Sequence, residues 1–139
     1  MVKLKYLAML AIAAALLAAC GSTAATPAAG GTINATLTDM KISVDKASTP
    51  AGKVTFVVKN SGLVVHELVV LKTDVAQDKL TAGDEAGKMN ETGNVGETGD
   101  VVVGGSNTFS VDLPAGHYVL ICNEIDHYMK GMHMTFTVN

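Results

Sequence analysis

From about Thr32 onward, apolar residues come in short runs separated by glycine, proline, asparagine and aspartate. Val54-Thr55-Phe56-Val57-Val58 and Thr108-Phe109-Ser110-Val111 are rich in β-branched and aromatic residues and partly alternate with polar ones, as strands with one buried face do. Similar runs lie at Ile33–Leu37, Met40–Val44, Val64–Leu71, Val101–Val103, His117–Ile121 and Met132–Val138. Turn signals separate them at Thr49-Pro50-Ala51-Gly52, Asn60-Ser61-Gly62, Gly104-Gly105-Ser106-Asn107 and Pro114-Ala115-Gly116. About eight short strands in ~105 residues predict an all-β sandwich. Thr73 to Asp100 is the exception. It is polar and glycine-containing, with only Val75–Leu80 able to form a short helical turn, and its length suits a Greek-key crossover.

The first residues have a different pattern. Lys3 and Lys5 precede Leu7 to Ala19, a wholly apolar run that is short for a membrane span and reads as the hydrophobic part of a secretory signal. Leu17-Ala18-Ala19-Cys20 resembles the lipobox of bacterial lipoproteins, which implies cleavage before Cys20 and lipidation of that cysteine. Ordinary cleavage nearby, leaving Cys20 as a free thiol, is the alternative. Residues 20–31 are small and polar and read as a flexible tether, so the expected organisation is a signal over 1–19, a tether over 20–31 and one domain over 32–139. Either route of cleavage places the domain outside the cytoplasm, in the periplasm or at the cell exterior, and lipidation of Cys20 would give it an N-terminal lipid as its only membrane contact.

Loss of residues 1–19 would remove two of the ten lysines and leave eight against 13 Asp and Glu, a net charge of −5 with no arginine. Such a chain is unsuited to phosphate or nucleic-acid recognition, which depends on dense Lys and Arg. With Cys20 assigned to lipid, Cys122 is the remaining cysteine. An unpaired cysteine in an exported domain points to a special task such as metal ligation.

The candidate chemistry lies in the last thirty residues. Cys122, His127 and Met132 stand at C-x4-H-x4-M between two predicted strands. Strand phase places Tyr118, Leu120 and Cys122 on one face, and Met132, Met134, Phe136 and Val138 on another, with His133 turned to the polar side. Met129 sits in mid-loop and Met134 deeper in the strand, which leaves Met132 as the preferred thioether. A second imidazole, His66, is flanked by apolar residues in Leu63–Val70, where burial without a partner is costly. Alone it would read as a hydrogen-bonded core histidine; beside the C-terminal loop it reads as a ligand. Two imidazoles, a thiolate and a weak thioether form the donor set of a blue-copper site. Zinc accepts His2Cys but has little use for the methionine.

The stretch Pro114-x-Gly116-x-Tyr118-x-Leu120-x-Cys122-x4-His127-x3-Gly131-Met132 resembles the C-terminal hallmark of the cupredoxins, in particular the rusticyanin, auracyanin and sulfocyanin branch. The resemblance covers roughly residues 32–139 in strand order and is specific in the last thirty. It implies a Greek-key β-sandwich with one copper at one end, bound by His66, Cys122, His127 and Met132. It also implies electron exchange through the His127 edge within an apolar patch, for which Leu63, Ile125, Tyr128 and Met129 are candidates. Many cupredoxins carry Asn or Ser after the upstream histidine, whereas this chain has Glu67. Glu67 is then either a solvated carboxylate or a negative charge reaching toward Asn123 and the copper.

Other polar residues receive plainer readings. His117 comes after a turn and reads as exposed, Tyr118 suits a tyrosine-corner hydrogen bond, and Asp126 is either a solvated loop carboxylate or a partner for His127. No catalytic arrangement emerges, and a dinuclear copper centre would need a second cysteine where Asp126 stands. The expectation is therefore a monomeric, membrane-tethered electron shuttle that docks redox partners transiently near His127. A copper carrier that hands the ion on is the alternative.

Overall fold

The computed structural model describes residues 30–139. Residues 1–29, with the expected signal, Cys20 and most of the expected tether, lie outside the described residues. Among the described residues nine strands occur in the order β1 (Thr32–Thr38), β2 (Lys41–Val44), β3 (Ser48–Thr49), β4 (Gly52–Asn60), β5 (Val69–Lys72), β6 (Asn94–Glu97), β7 (Ser106–Leu113), β8 (Gly116–Ile121) and β9 (His133–Val138). They form a four-stranded sheet, β2-β1-β4-β7, and a five-stranded sheet, β3-β9-β8-β5-β6. The pairs β1–β4 and β3–β9 are parallel and the rest antiparallel. No α-helix occurs among the described residues. The expected all-β Greek-key β-sandwich is the fold found.

Period-two alternation explains the first sheet. In β1 the buried positions are Ile33, Ala35 and Leu37, and in β4 they are Val54, Phe56, Val58 and Asn60. The apolar side chains among them meet Leu68, Val70, Tyr118, Leu120, Phe136 and Val138 in one core between the sheets. Phe56 links the layers: its ring lies 5.2 Å from Phe109 of its own sheet and 5.7 Å from Phe136 of the other. The Tyr118 hydroxyl donates to the Pro114 carbonyl at 2.7 Å, the expected tyrosine-corner bond.

Val69–Leu71 of β5 and Tyr118–Ile121 of β8 are buried at every position rather than alternately, and the cause is a second apolar cluster. Val69, Leu71, Val119 and Ile121 pack on the outer face of the second sheet with Met89, Tyr128 and Leu80. The long connection supplies Met89 and Leu80, so both faces of β5 and β8 are covered and both strands read as continuous apolar runs.

Several local expectations need correction. The run Val64–Leu71 is not one strand: pairing is regular only from Val69, and His66 makes an isolated bridge to Val101. Val101–Val103 supplies only that bridge, with Val102 and Val103 exposed. The segment Thr73–Asp100 contains β6, and Val75–Leu80 forms no helix, only a turn closed by Lys79 N–H to the Ala76 carbonyl. Met40 lies in the β1–β2 turn with φ of 58°. The Gly31 carbonyl already accepts a hydrogen bond from Thr55 N–H, so the chain packs against β4 just before the expected domain start.

Phe136 is fully buried at the junction of the two sheets. Phe136→Ala is expected to cost about 3–5 kcal/mol of unfolding free energy, measured by urea denaturation. Phe109→Ala, at a half-buried position on the opposite layer, should cost distinctly less.

Candidate metal centre

The end of the sandwich where β8 stops and β9 begins is closed by backbone hydrogen bonds. Cys122 N–H donates to the Met132 carbonyl at 3.0 Å, and Met132 N–H donates to the His127 carbonyl at 3.1 Å. Between them the loop turns through Gly131, whose φ of 107° favours glycine. The cysteine, the histidine and the methionine are thus tied together by the main chain before their side chains are considered.

His66 is brought to the same place by a buried amide. Asn60 occupies the last core-facing position of β4, with no exposed surface. Its Nδ2 donates to the carbonyls of Val64 and Val101, each at 2.8 Å, and its Oδ1 accepts from Gly62 N–H at 2.8 Å. The segment 61–65 therefore folds around Asn60, and the bridge to Val101 then holds the backbone at His66 itself. His66 Nε2 lies 3.0 Å from Oδ1 of Asp39, whose two oxygens also accept from Leu63 N–H at 2.9 and 3.0 Å. A carboxylate can only accept, so Nε2 carries the proton and Nδ1 presents a lone pair. Leu63 N–H and His66 hold the Asp39 carboxyl below the usual carboxylate range.

The donors converge. His127 Nδ1 is 3.3 Å from Cys122 Sγ and 3.2 Å from His66 Nδ1, and His66 Nδ1 is 3.8 Å from the sulfur. His66 and Cys122 are fully buried and His127 is 9% exposed. These separations suit three ligands of one ion with metal–ligand bonds of about 2.0–2.3 Å, and the thiolate–imidazole set fits copper. Met132 is fully buried in the same core cluster as Cys122. Met134 is half-buried against the core and Met129 is 69% exposed, in line with their expected roles.

Burial governs the protonation of the ligands. It pushes the Cys122 thiol up to about 11, against the opposing pull of the Glu67 and Glu124 backbone N–H groups. It also lowers His127, helped by the neighbouring His66. Both ligands are thereby kept neutral until a cation replaces the thiol proton.

Glu67 resolves into two separate parts. Its backbone N–H donates to Cys122 Sγ at 3.4 Å, joining the two ligand-bearing segments whatever the side chain is. Its half-buried carboxylate lies beside those of Glu124, also half-buried, and Asp100, which is exposed, their oxygens within 4.8 Å of one another. Of the two expectations for Glu67, the one reaching toward the cysteine loop matches this placement.

Asn123 had no expected role of its own, yet it secures the loop. It is buried, accepts from Met89 N–H at 2.7 Å, and donates to the Met89 carbonyl at 3.0 Å and to Glu91 at 2.7 Å. Tyr128, expected in an exposed patch, is instead buried, donating to the Gln77 carbonyl and accepting from Leu80 N–H. Both residues fasten the long connection to the ligand loop. Asp126 is exposed, has φ of 64°, and its N–H binds the Gly87 carbonyl; it makes no side-chain bond to His127. His117 is exposed, and the His133 ring lies tilted against Tyr128 with centroids 4.8 Å apart, outside the donor cluster.

No family model matches the chain, and no curated protein matches it. Solved structures do. Auracyanin A, a "blue" copper protein from the green thermophilic photosynthetic bacterium Chloroflexus aurantiacus, is 25% identical, covering 79% of this chain and 100% of that one at a TM-score of 0.58. Reduced auracyanin from the photosynthetic bacterium Roseiflexus castenholzii is 24% identical, covering 78% of this chain and 96% of its own at a TM-score of 0.60. Rusticyanin from Thiobacillus ferrooxidans is 18% identical, covering 80% of this chain and 79% of its own at a TM-score of 0.60. The chain has the cupredoxin fold. Within that fold its own residues assemble a His-Cys-His donor cluster suited to one copper ion, with Met132 beside it in sequence and core.

Burial first, then the charges of Glu124 and Glu91, push the Glu67 carboxyl up to about 7 from an ordinary value of 4.5. Between those values the folded metal-free protein keeps a proton that the unfolded chain has released, so stability falls as pH rises through that window. Glu67→Gln should flatten this fall, read by denaturant unfolding of the metal-free protein across the same range.

Proposed function

We propose that this chain is a mononuclear type 1 copper electron-transfer protein. The observation that carries the reading is the convergence of His66 Nδ1, His127 Nδ1 and Cys122 Sγ within 3.2–3.8 Å of one another in a buried cluster. Bound copper supplies a one-electron Cu(II)/Cu(I) couple. The chain's residues hold both oxidation states in one arrangement. Thiolate and thioether suit Cu(I) and imidazole suits Cu(II), and a frame closed by backbone hydrogen bonds limits rearrangement between them. Met132, buried in the same core cluster as Cys122, would supply the fourth, weak ligand.

The same reading takes Cys20 as the lipidated residue, so that residues 20–31 tether an exported domain to a membrane. Redox partners dock transiently over the exposed side chains of Leu63, Ile125 and Met129, which flank the two ligand histidines in sequence. His127, the less deeply buried imidazole, is the route for electrons. A buried donor set filled by protein leaves no open position for substrate, which supports electron transfer over catalysis.

Reconstitution with Cu(II) should give an intense copper–thiolate charge-transfer band and a reversible one-electron couple, and Cys122→Ser should abolish the band. Lack of band and couple in the unaltered protein, with rapid loss of copper to a chelator, would favour a copper carrier instead. Met132→Leu should raise the reduction potential while costing less than about 1.5 kcal/mol in stability. Met134→Leu should leave the potential in place; voltammetry of both variants decides which thioether would complete the ligand set.

A further inference from the structure

The four expected ligands do not account for Asp39, Met40 and Gly62. Asp39 and Gly62 meet at the outer edge of the His66 ring, on the Nε2 side, and Met40 follows Asp39 in the same turn. Asp39 accepts from His66 Nε2–H at 3.0 Å and from Leu63 N–H at 2.9 and 3.0 Å. No residue near it in sequence requires this. Asp39 lies 27 positions from His66, in the two-residue turn that joins Thr38 to Lys41. That turn uses a left-handed backbone at Met40, φ 58°, without a glycine, a conformation that is disfavoured and persists only where the surroundings impose it. On the other side, Gly62 crosses the Asp39–His66 bond so closely that a Cβ there would lie 2.4 Å from Asp39 Oδ1 and 2.7 Å from His66 Nε2. A strained turn brings the carboxylate in, and a glycine leaves room for it.

We infer that Asp39 is a positioning residue for the metal centre: through the Nε2–H bond it fixes the tautomer and orientation of His66 and raises the imidazole's strength as a donor to Cu(II). The inference rests on the proposed copper site. A carboxylate on the outer nitrogen of a ligand imidazole increases the electron density at the inner nitrogen. The doubly charged ion gains more from this than the singly charged one, so the bond favours Cu(II) and lowers the reduction potential. Because His66 is fully buried and the Asp39 side chain is 35% exposed, the bond is protected at the ring and open only at the carboxylate's outer edge.

The test compares full-chain Asp39→Asn, Asp39→Ala and Gly62→Ala with Asp45→Asn. Asp45 serves as control because it makes analogous contacts, to the backbone and side chain of Asn34, at 2.9 and 2.8 Å. Loss of Asp39 should weaken Cu(II) binding about 10–100-fold and Cu(I) binding less. Each tenfold change in the ratio of the two affinities raises the potential by about 59 mV. Asn, which can still accept from Nε2–H but lacks the charge, should fall between wild type and Ala. Gly62→Ala should shift the potential in the same direction, and its effect should not add to that of Asp39→Ala. Asp45→Asn should lower stability without moving the potential.

A second readout needs no copper. In the metal-free protein, the His66 Nε2–H proton should be a slowly exchanging, downfield NMR resonance that disappears in Asp39→Ala. Unchanged potential and affinities in Asp39→Ala, with the charge-transfer band intact, would overturn the positioning role while leaving the copper site standing. A wild-type protein without that band would instead overturn the copper site, and the His66 resonance would still report whether the Asp39 bond exists.

Discussion

The structure depends on holding three polar donors together in a place that water does not reach. An imidazole or a thiol in such a setting forfeits its hydration and must find partners or stay neutral. His66 finds a partner at its outer nitrogen in Asp39, and Cys122 receives the Glu67 N–H. Burial keeps the thiol protonated up to about 11 and lowers His127. The inner nitrogens and the sulfur are then left facing one another at 3.2–3.8 Å. The burial that opposes free charge on these ligands also makes a cation at their centre the strongest partner available to them.

Two frames maintain that arrangement, and they are built differently. The C-terminal frame is local: β8 and β9 are antiparallel neighbours, and the hydrogen bonds among Cys122, Met132 and His127 close the loop between them. The upstream frame is long-range, because His66 is held not by a strand but by Asn60, Val101 and Asp39 from three other segments. Asn123 and Tyr128 then fasten the long connection over the ligand loop. The outer apolar cluster around Val119 and Ile121 gives that connection something to pack on. A centre framed from both sides can change charge with little movement of its ligands, which is the property the proposed function needs.

How much of this was legible in the sequence depends on the same division. Cys122, His127 and Met132 lie close together along the chain, so spacing and strand phase sufficed to group them. His66 was legible from its apolar flanks, although the strand expected there is only a bridge, because Asn60 draws the chain away from regular pairing. Asn60 carried a signal in its phase with Val54, Phe56 and Val58, a polar residue at a core position. Asp39 and Asn123 carried none. An aspartate in a turn and an asparagine in a loop are ordinary, and their partners lie 24 to 34 residues away. Two-sided burial of β5 and β8 hid alternation, and β6, with its Asn-Val-Gly-Glu sequence, has too few apolar residues to announce a strand.

Glu67 illustrates how a departure from a family pattern can be accommodated. The clip between the two ligand segments is made by its backbone N–H, which any residue other than proline could supply, so the side chain is released from that task. Its carboxylate settles among Asp100 and Glu124 and is raised to about 7, leaving it only partly charged near neutral pH. Asp39, on the other side of His66, is held below the usual range by Leu63 N–H and His66 and is fully charged there. Of the two acidic residues beside the upstream ligand, the one distant in sequence therefore supplies the constant negative charge. The one adjacent in sequence supplies chiefly a backbone bond.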